Sequence, residues 1–278
     1  MTPSIRKAIV SGRFYPSDPR EIDELMAKLL KKEKHRIDYS LADNKILGAV
    51  IPHAGHIYSG YQTLHFFEIL KFSKQVFDTF IIIHPLHQAG GAGFAVEGSA
   101  QWNTPLGNVN SDLEFIEAME LPVSSELHKY EHSSEVIVPF IQKYFGNDFL
   151  LVSIGMSSQN LYNAKEISNA IIKAKNNSSK KICLIASSDF SHYVKPNVGR
   201  IMDQKVIDCI LRKDIDGIYR EVSENDLTIC GFGPIMAVSF ALLELYPEYK
   251  PVILSRGHSG EVIPSDEVVD YISIMYIE

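Results

Sequence analysis

Lys45-Ile46-Leu47-Gly48-Ala49-Val50-Ile51-Pro52-His53-Ala54-Gly55-His56 is the stretch from which the fold is read. From Ile46 to Ile51 it is apolar or glycine throughout, with no alternation of polar residues, which is the pattern of a strand buried on both faces. Pro52 stops the run, and Ala54-Gly55 lets the chain turn tightly. The same design recurs. Phe77 to Ile83 is an apolar run that exits through His84-Pro85-Leu86-His87, and Phe149 to Ile154 and Lys181 to Ala186 read likewise. Helical spacing fills the intervals at Tyr61 to Leu70 and Ala164 to Lys175. Strands alternating with helices predict parallel βαβ units, hence an α/β protein with a central mixed, largely parallel sheet flanked by helices.

Working outward, Asp18-Pro19-Arg20 reads as a helix start, with Ile22, Leu25, Met26 and Leu29 at helical spacing behind it. Further helices are expected at Ser134 to Tyr144, Met202 to Arg212 and Pro234 to Tyr246. Pro139 argues that the first of these is kinked or begins later. Closing strands are expected near Val252 to Ser255 and Val268 to Met275.

The 278 residues are 45% hydrophobic and 22% charged, enough apolar surface for a packed core, and we read residues 1–278 as one domain. A net charge of −7 argues against nucleic acid or an anionic membrane surface as partner. The densest basic stretch, Lys28 to Arg36, is interrupted by Leu29, Leu30 and Glu33 and reads as the solvated end of a helix. No run approaches the ~20 apolar residues of a membrane span. Met1 to Arg13 lacks the apolar core of a signal peptide, so a cytoplasmic protein is expected. The three cysteines, Cys183, Cys209 and Cys230, lack the spacing of a disulfide framework or zinc knuckle.

Five short segments carry candidate chemistry. His53 and His87 each follow a buried strand, where open α/β sheets bind ligands. Ser187-Ser188-Asp189-Phe190-Ser191-His192 follows a third strand; Asp189 and His192 read as an acid/base pair or as groups orienting a metal-bound ligand, against a plain Asx turn. In Glu131-His132-Ser133-Ser134-Glu135, Ser133 reads as a helix N-cap and Glu135 as a complement to the helix dipole, leaving His132 unassigned. Cys230, in Thr228-Ile229-Cys230-Gly231-Phe232-Gly233-Pro234-Ile235, precedes a helix whose positive end favours a thiolate. Cys183 lies in an apolar strand as packing, and Cys209 lies in a helical segment with no evident chemical neighbour. Tyr58, Trp102 and Tyr193 are isolated aromatics, more often packing residues than a cavity lining.

Together these segments resemble the Memo family, whose pattern includes Pro-His-Ala-Gly, a Pro-x-His strand exit, Glu-His-Ser, Ser-Ser-Asp-Phe-Ser-His and Cys-Gly-x-x-Pro-Ile, in this order. The resemblance runs from Arg13-Phe14-Tyr15-Pro16, through Trp102 and Thr104-Pro105-Leu106-Gly107, to Asp270-Tyr271. It implies a metal held by His53, His87 and Cys230, with Asp189 and His192 in the same pocket and His132 as a further contributor. One departure stands out: the family's usual glycine before the Pro-x-His segment is His84 here, so either His84 points away or the ligand set has changed.

The resemblance also implies a fold similar to that of the extradiol dioxygenases that use non-haem iron, with cysteine in place of their carboxylate ligand. A thiolate shifts preference towards copper, zinc or iron, and three protein ligands leave a position open. The leading expectation is a redox-active iron or copper site acting on a small organic molecule. The alternatives are zinc-assisted hydrolysis with His192 as base, and a non-enzymatic module that binds a partner peptide. The resemblance further implies a functional link to a radical-SAM protein and an AMMECR1-type protein.

Overall fold

The structure is a computed structural model that describes residues 4–88 and 93–278. Among these residues the strands are β1 (Ile5–Arg6), β2 (Ile46–Ile51), β3 (Thr79–Pro85), β4 (Phe94–Val96), β5 (Gln101–Thr104), β6 (Gly107–Ser111), β7 (Leu150–Met156), β8 (Ile182–Ser187), β9 (His192–Val194), β10 (Lys250–His258) and β11 (Val268–Ile277). The helices are α1 (Pro19–Glu33), α2 (His56–Ser73), α3 (Leu113–Met119), α4 (Ser125–His128), α5 (Val138–Phe145), α6 (Leu161–Asn176), α7 (Pro196–Leu211), α8 (Ile215–Glu224) and α9 (Phe232–Leu245).

One mixed sheet runs β1-β5-β6-β7-β3-β8-β2-β11-β10, with β4 against β7 and β9 against β11. Its centre, β7-β3-β8-β2, is parallel, and β11 and β10 close one side antiparallel. The central strands are the apolar runs of the sequence, and helices cover both of their faces. Val50, Ile81, Ile83 and Leu184 face a core completed by α6, α7 and α9. Ala49, Ile51, Phe80, Ile82 and Ile185 face a second core completed by α1, α2 and α5. The expected α/β sheet is therefore the observed one. Asp18 caps α1 through its side chain, which accepts from the Arg20 amide.

Local differences have physical reasons. Helix α2 starts at His56 rather than Tyr61, because Gly55 serves as its N-cap directly after the strand exit. Helix α5 starts only at Val138, with Pro139 in its first turn. This overturns the capping roles expected of Ser133 and Glu135. The Ser133 hydroxyl donates to the Pro85 carbonyl, and Glu135 is a fully buried acceptor for the amino-terminal segment. The short strands β1, β4, β5, β6 and β9 are too short for periodicity to reveal. Trp102 is buried beneath the Arg6 guanidinium, 4.2 Å from the ring centroid, as packing.

Behind β9, two buried carboxyls meet. Asp203 Oδ1 accepts from the Ser191 amide (3.1 Å), while Oδ2 of Asp203 and Oδ2 of Asp270 are buried without a donor, as expected of two carboxyls that share a proton. Burial, then the hydrogen bond with and charge of Asp203, push the Asp270 carboxyl up to about 8, against the pull of Arg256. The folded protein therefore keeps a proton that the unfolded chain releases near pH 4. That stabilisation is present in acid and is lost as pH rises through about 8. Asp270→Asn is expected to remove this slope, so that between pH 5 and pH 9 the variant loses up to about 4 kcal/mol less than the parent. Urea unfolding of both proteins at the two pH values is the check; parallel losses would dismiss the shared proton.

Candidate metal centre

His53 lies two residues past β2, His87 two past β3 and Asp189 two past β8. Because β3, β8 and β2 are neighbours, their exits converge at the carboxyl edge of the sheet. His132 reaches the same place from the turn between α4 and α5, and Cys230 from the turn before α9. Gly231 makes the last approach possible. A Cβ there would stand 2.2 Å from the Ser187 carbonyl oxygen, so a larger residue would push Cys230 off the β8 exit.

One ligand nitrogen from each of His53, His87 and His132 lies within 4.8 Å of the other two. The His87 and His132 rings stack at 4.9 Å, and His53 stands edge-on to both, at 5.3 and 5.6 Å. Each ring is oriented from behind. The Ser187 hydroxyl donates to the Ser133 carbonyl, so its lone pair accepts from His53 Nδ1 at 2.7 Å and leaves His53 Nε2 unprotonated. His87 Nδ1 lies 3.0 Å and His132 Nδ1 3.4 Å from the same oxygen of Glu131. Glu131 also accepts from the amides of His87, His132 and Ser133. Carboxylates behind the outer nitrogens are how metal-binding histidines are held in one tautomer. These three residues could hold a transition-metal ion.

The electrostatics leave the lone pairs of His53 and His132 available, whereas at His87 a metal would compete with a proton. Burial, then the charges of His132 and His87, hold His53 well below its usual value, so its lone pair is available. Burial also lowers His132, against the Glu131 charge. Burial alone would raise Glu131 and lower His87, but the hydrogen bond between them reverses both, leaving a carboxylate well below its ordinary range and a raised imidazole.

Cys230 Sγ lies 3.2 Å from His53 Nε2 and accepts from the Asp189 amide at 3.2 Å. It touches the edge of the histidine group without joining it. The expected thiolate-favouring environment is reversed: burial and the Asp189 charge push the thiol well up, outweighing the helix end. A cation beside the sulfur would be needed to draw off its proton. Asp189 Oδ1 accepts from the His53 amide at 2.8 Å, and burial raises its carboxyl to about 6 despite the backbone donors. His192 Nδ1 is 2.8 Å from the Thr228 carbonyl, which accepts its proton and leaves Nε2 as a base. Asp189 and His192 therefore flank the centre without hydrogen bonding to each other.

His84 is fully buried and points away from the centre. Its Nδ1 lies 2.9 Å from the Ser133 hydroxyl and its Nε2 3.0 Å from the Ser153 hydroxyl, and burial lowers it to about 3. The histidine that replaces glycine thus braces the segment carrying His132. Sequence reasoning missed Glu131 and Ser187 as the orienting groups. Both sat inside quoted motifs, beside His132 and Asp189, but their partners are 44 and 134 residues away.

The fold and this cluster define an α/β protein with a histidine-rich candidate metal centre at the carboxyl ends of its parallel strands. The family model described as Memo-like protein matches residues 6–275, and the chain belongs to the Memo family. A MEMO1 family protein of Methanococcoides burtonii is 36% identical over 98% of this chain and 99% of its own. One from Methanosarcina barkeri is 33% identical over 98% and 99% respectively. Among solved structures, the uncharacterized protein JW3007 from Escherichia coli K12 is similar with a TM-score of 0.49 and 13% identity, covering 77% of this chain and 91% of that one.

Proposed function

We propose that the protein is a metal-dependent oxidoreductase that acts on a small organic molecule, with iron or copper on His53, His87 and His132 and Cys230 as a softer contact at the edge. The observation behind this reading is the group of three imidazoles, two of them hydrogen-bonded through Nδ1 to Ser187 and Glu131 and the third with Nδ1 3.4 Å from the same Glu131 oxygen. Neutral imidazole suits iron, copper and zinc, and disfavours magnesium and calcium. Iron or copper would supply Lewis acidity and one-electron chemistry there.

The chain's own residues would do the rest. Glu131 and Ser187 fix the three rings before any ligand arrives. The raised Asp189 carboxyl gives up or takes a proton near neutrality, and His192 Nε2, near enough for its charge to act on Asp189, accepts one. Cys230, whose thiol burial and the Asp189 charge push up, would release its proton to solvent when a metal bound and would add a soft donor beside His53.

Elemental analysis of anaerobically purified protein, followed by a redox titration, tests the reading. Near-stoichiometric iron or copper that changes oxidation state supports it. Zinc with no redox response would instead favour hydrolysis with His192 as base, and absence of metal even after reconstitution would sink it. Cys230→Ser is expected to keep the metal with affinity lowered about 10- to 100-fold. Metal analysis of this variant checks that; complete loss would make the thiolate a required ligand.

A further inference from the structure

At the opposite edge of the sheet, a cavity of about 510 Å³ opens where β2 and β8 begin. It is lined by Lys45, Lys74, Lys175, Lys180 and Lys181, and no acidic residue lines it. In a chain with 34 acidic and 27 basic side chains, a lining of lysines alone runs against the composition. Two of the five are neutralised: Lys45 by Glu278 and Lys180 by Asp112 and Glu114. Among the described residues no carboxylate lies within ion-pair distance of the other three; Lys175 donates only to the Ser178 carbonyl.

Helix dipoles account for part of this charge. Lys74 caps the carboxyl end of α2, and Lys175 lies in the last turn of α6. Lys181 stands just before β8 with no helix end to offset it; the Asp78 carboxylate accepts from its amide at 2.7 Å without pairing with its ammonium. The remaining wall is apolar. Phe77 is half-buried, Val76 is 70% exposed, and Tyr246 carries the Lys45 ammonium 4.3 Å above its ring. Uncompensated ammonium groups beside an exposed apolar wall match a ligand that is anionic at one end and flat and apolar at the other.

We propose that this cavity binds a nucleoside di- or triphosphate, with its phosphates on Lys74, Lys175 and Lys181 and its base against Val76 and Phe77. The volume lies within the roughly 300 to 1,000 Å³ of small-molecule sites. The parallel strands, about 20 Å long, separate it from the histidines, so the nucleotide is not the molecule that meets the metal centre.

Calorimetric titration of the full chain with ATP in low salt tests the proposal, beside Lys74→Glu/Lys181→Glu and His132→Ala. Both lysines are exposed at the surface, so the double variant should unfold at the parent's temperature. ATP is expected to bind the parent in the micromolar to submillimolar range and the double variant at least about tenfold more weakly, through loss of two phosphate contacts. His132→Ala should leave the affinity unchanged. Added salt should weaken binding, and tripolyphosphate should compete where adenosine does not. Equal ATP affinity in the double variant, no binding at millimolar ATP, or loss of binding in His132→Ala would overturn the assignment. So would an RNA oligonucleotide binding more tightly than ATP, since that describes an open surface rather than a nucleotide cavity.

Discussion

His132→Ala is expected to cut metal affinity by about a hundredfold or more, exceeding the effect of any change to an orienting group. The three imidazoles are the groups whose ligand atoms converge, and removing one leaves two donors and a wider gap. Glu131→Gln is the informative companion. It keeps both rings in place but weakens the acceptor that His87 and His132 share, so its loss should fall between about 10- and 100-fold. Folding should suffer little from His132→Ala, because the side chain is 23% exposed and its ring packs chiefly on Phe14 and His87. Competition titrations with a chromophoric chelator, run beside thermal unfolding of the metal-free proteins, give both quantities. Full metal affinity in His132→Ala together with none in Cys230→Ser would return the ligand set to His53, His87 and Cys230.

Much of this architecture is legible in the chain because its central strands carry unbroken apolar runs. Lys45 to Ile51 and Lys181 to Ala186 read as strands covered on both faces, and strand exits announce where a site must form. What periodicity could not give was long-range pairing. Ser133 and Glu135 look like a helix start because serine and glutamate favour that position, yet a turn persists to Ile137 and both side chains are taken by residues from β3 and the amino terminus. His132 was placed behind Cys230 for a related reason: a cysteine before a helix carries a local argument for reactivity, whereas His132 gains its role only when Glu131 turns it towards His87. The thiol was misjudged on electrostatics, since a helix end acts weakly against burial beside a carboxylate.

The second large effect concerns stability. Glu135→Gln is expected to cost about 3–5 kcal/mol, the loss typical when one member of a buried ion pair is removed. Glu135 is fully buried and accepts from Arg6 Nη1 (2.7 Å), the amides of Ile9 and Val10 (3.0 Å each) and the Tyr15 hydroxyl (2.9 Å). A glutamine offers one acceptor and turns an N–H₂ group towards these donors, while Arg6, only 8% exposed, stays charged. At this chain length the loss should appear as a fall of roughly 10 °C in Tm. The pair itself need not stabilise. Replacing both members, as in Arg6→Met/Glu135→Met, should recover only part of the loss: the unpaired Arg6 charge is gone, but the Ile9 and Val10 amides and the Tyr15 hydroxyl still lack their acceptor. Urea unfolding of the single and double variants separates these terms. A cost below about 1 kcal/mol for Glu135→Gln would mean that the amino-terminal segment is held by packing of Val10 and Tyr15 alone. The predicted cost would instead tie that segment to the metal centre, because Arg6 also donates to the Glu131 carbonyl, so the contact that anchors residues 6–15 also positions the carboxylate behind His87 and His132.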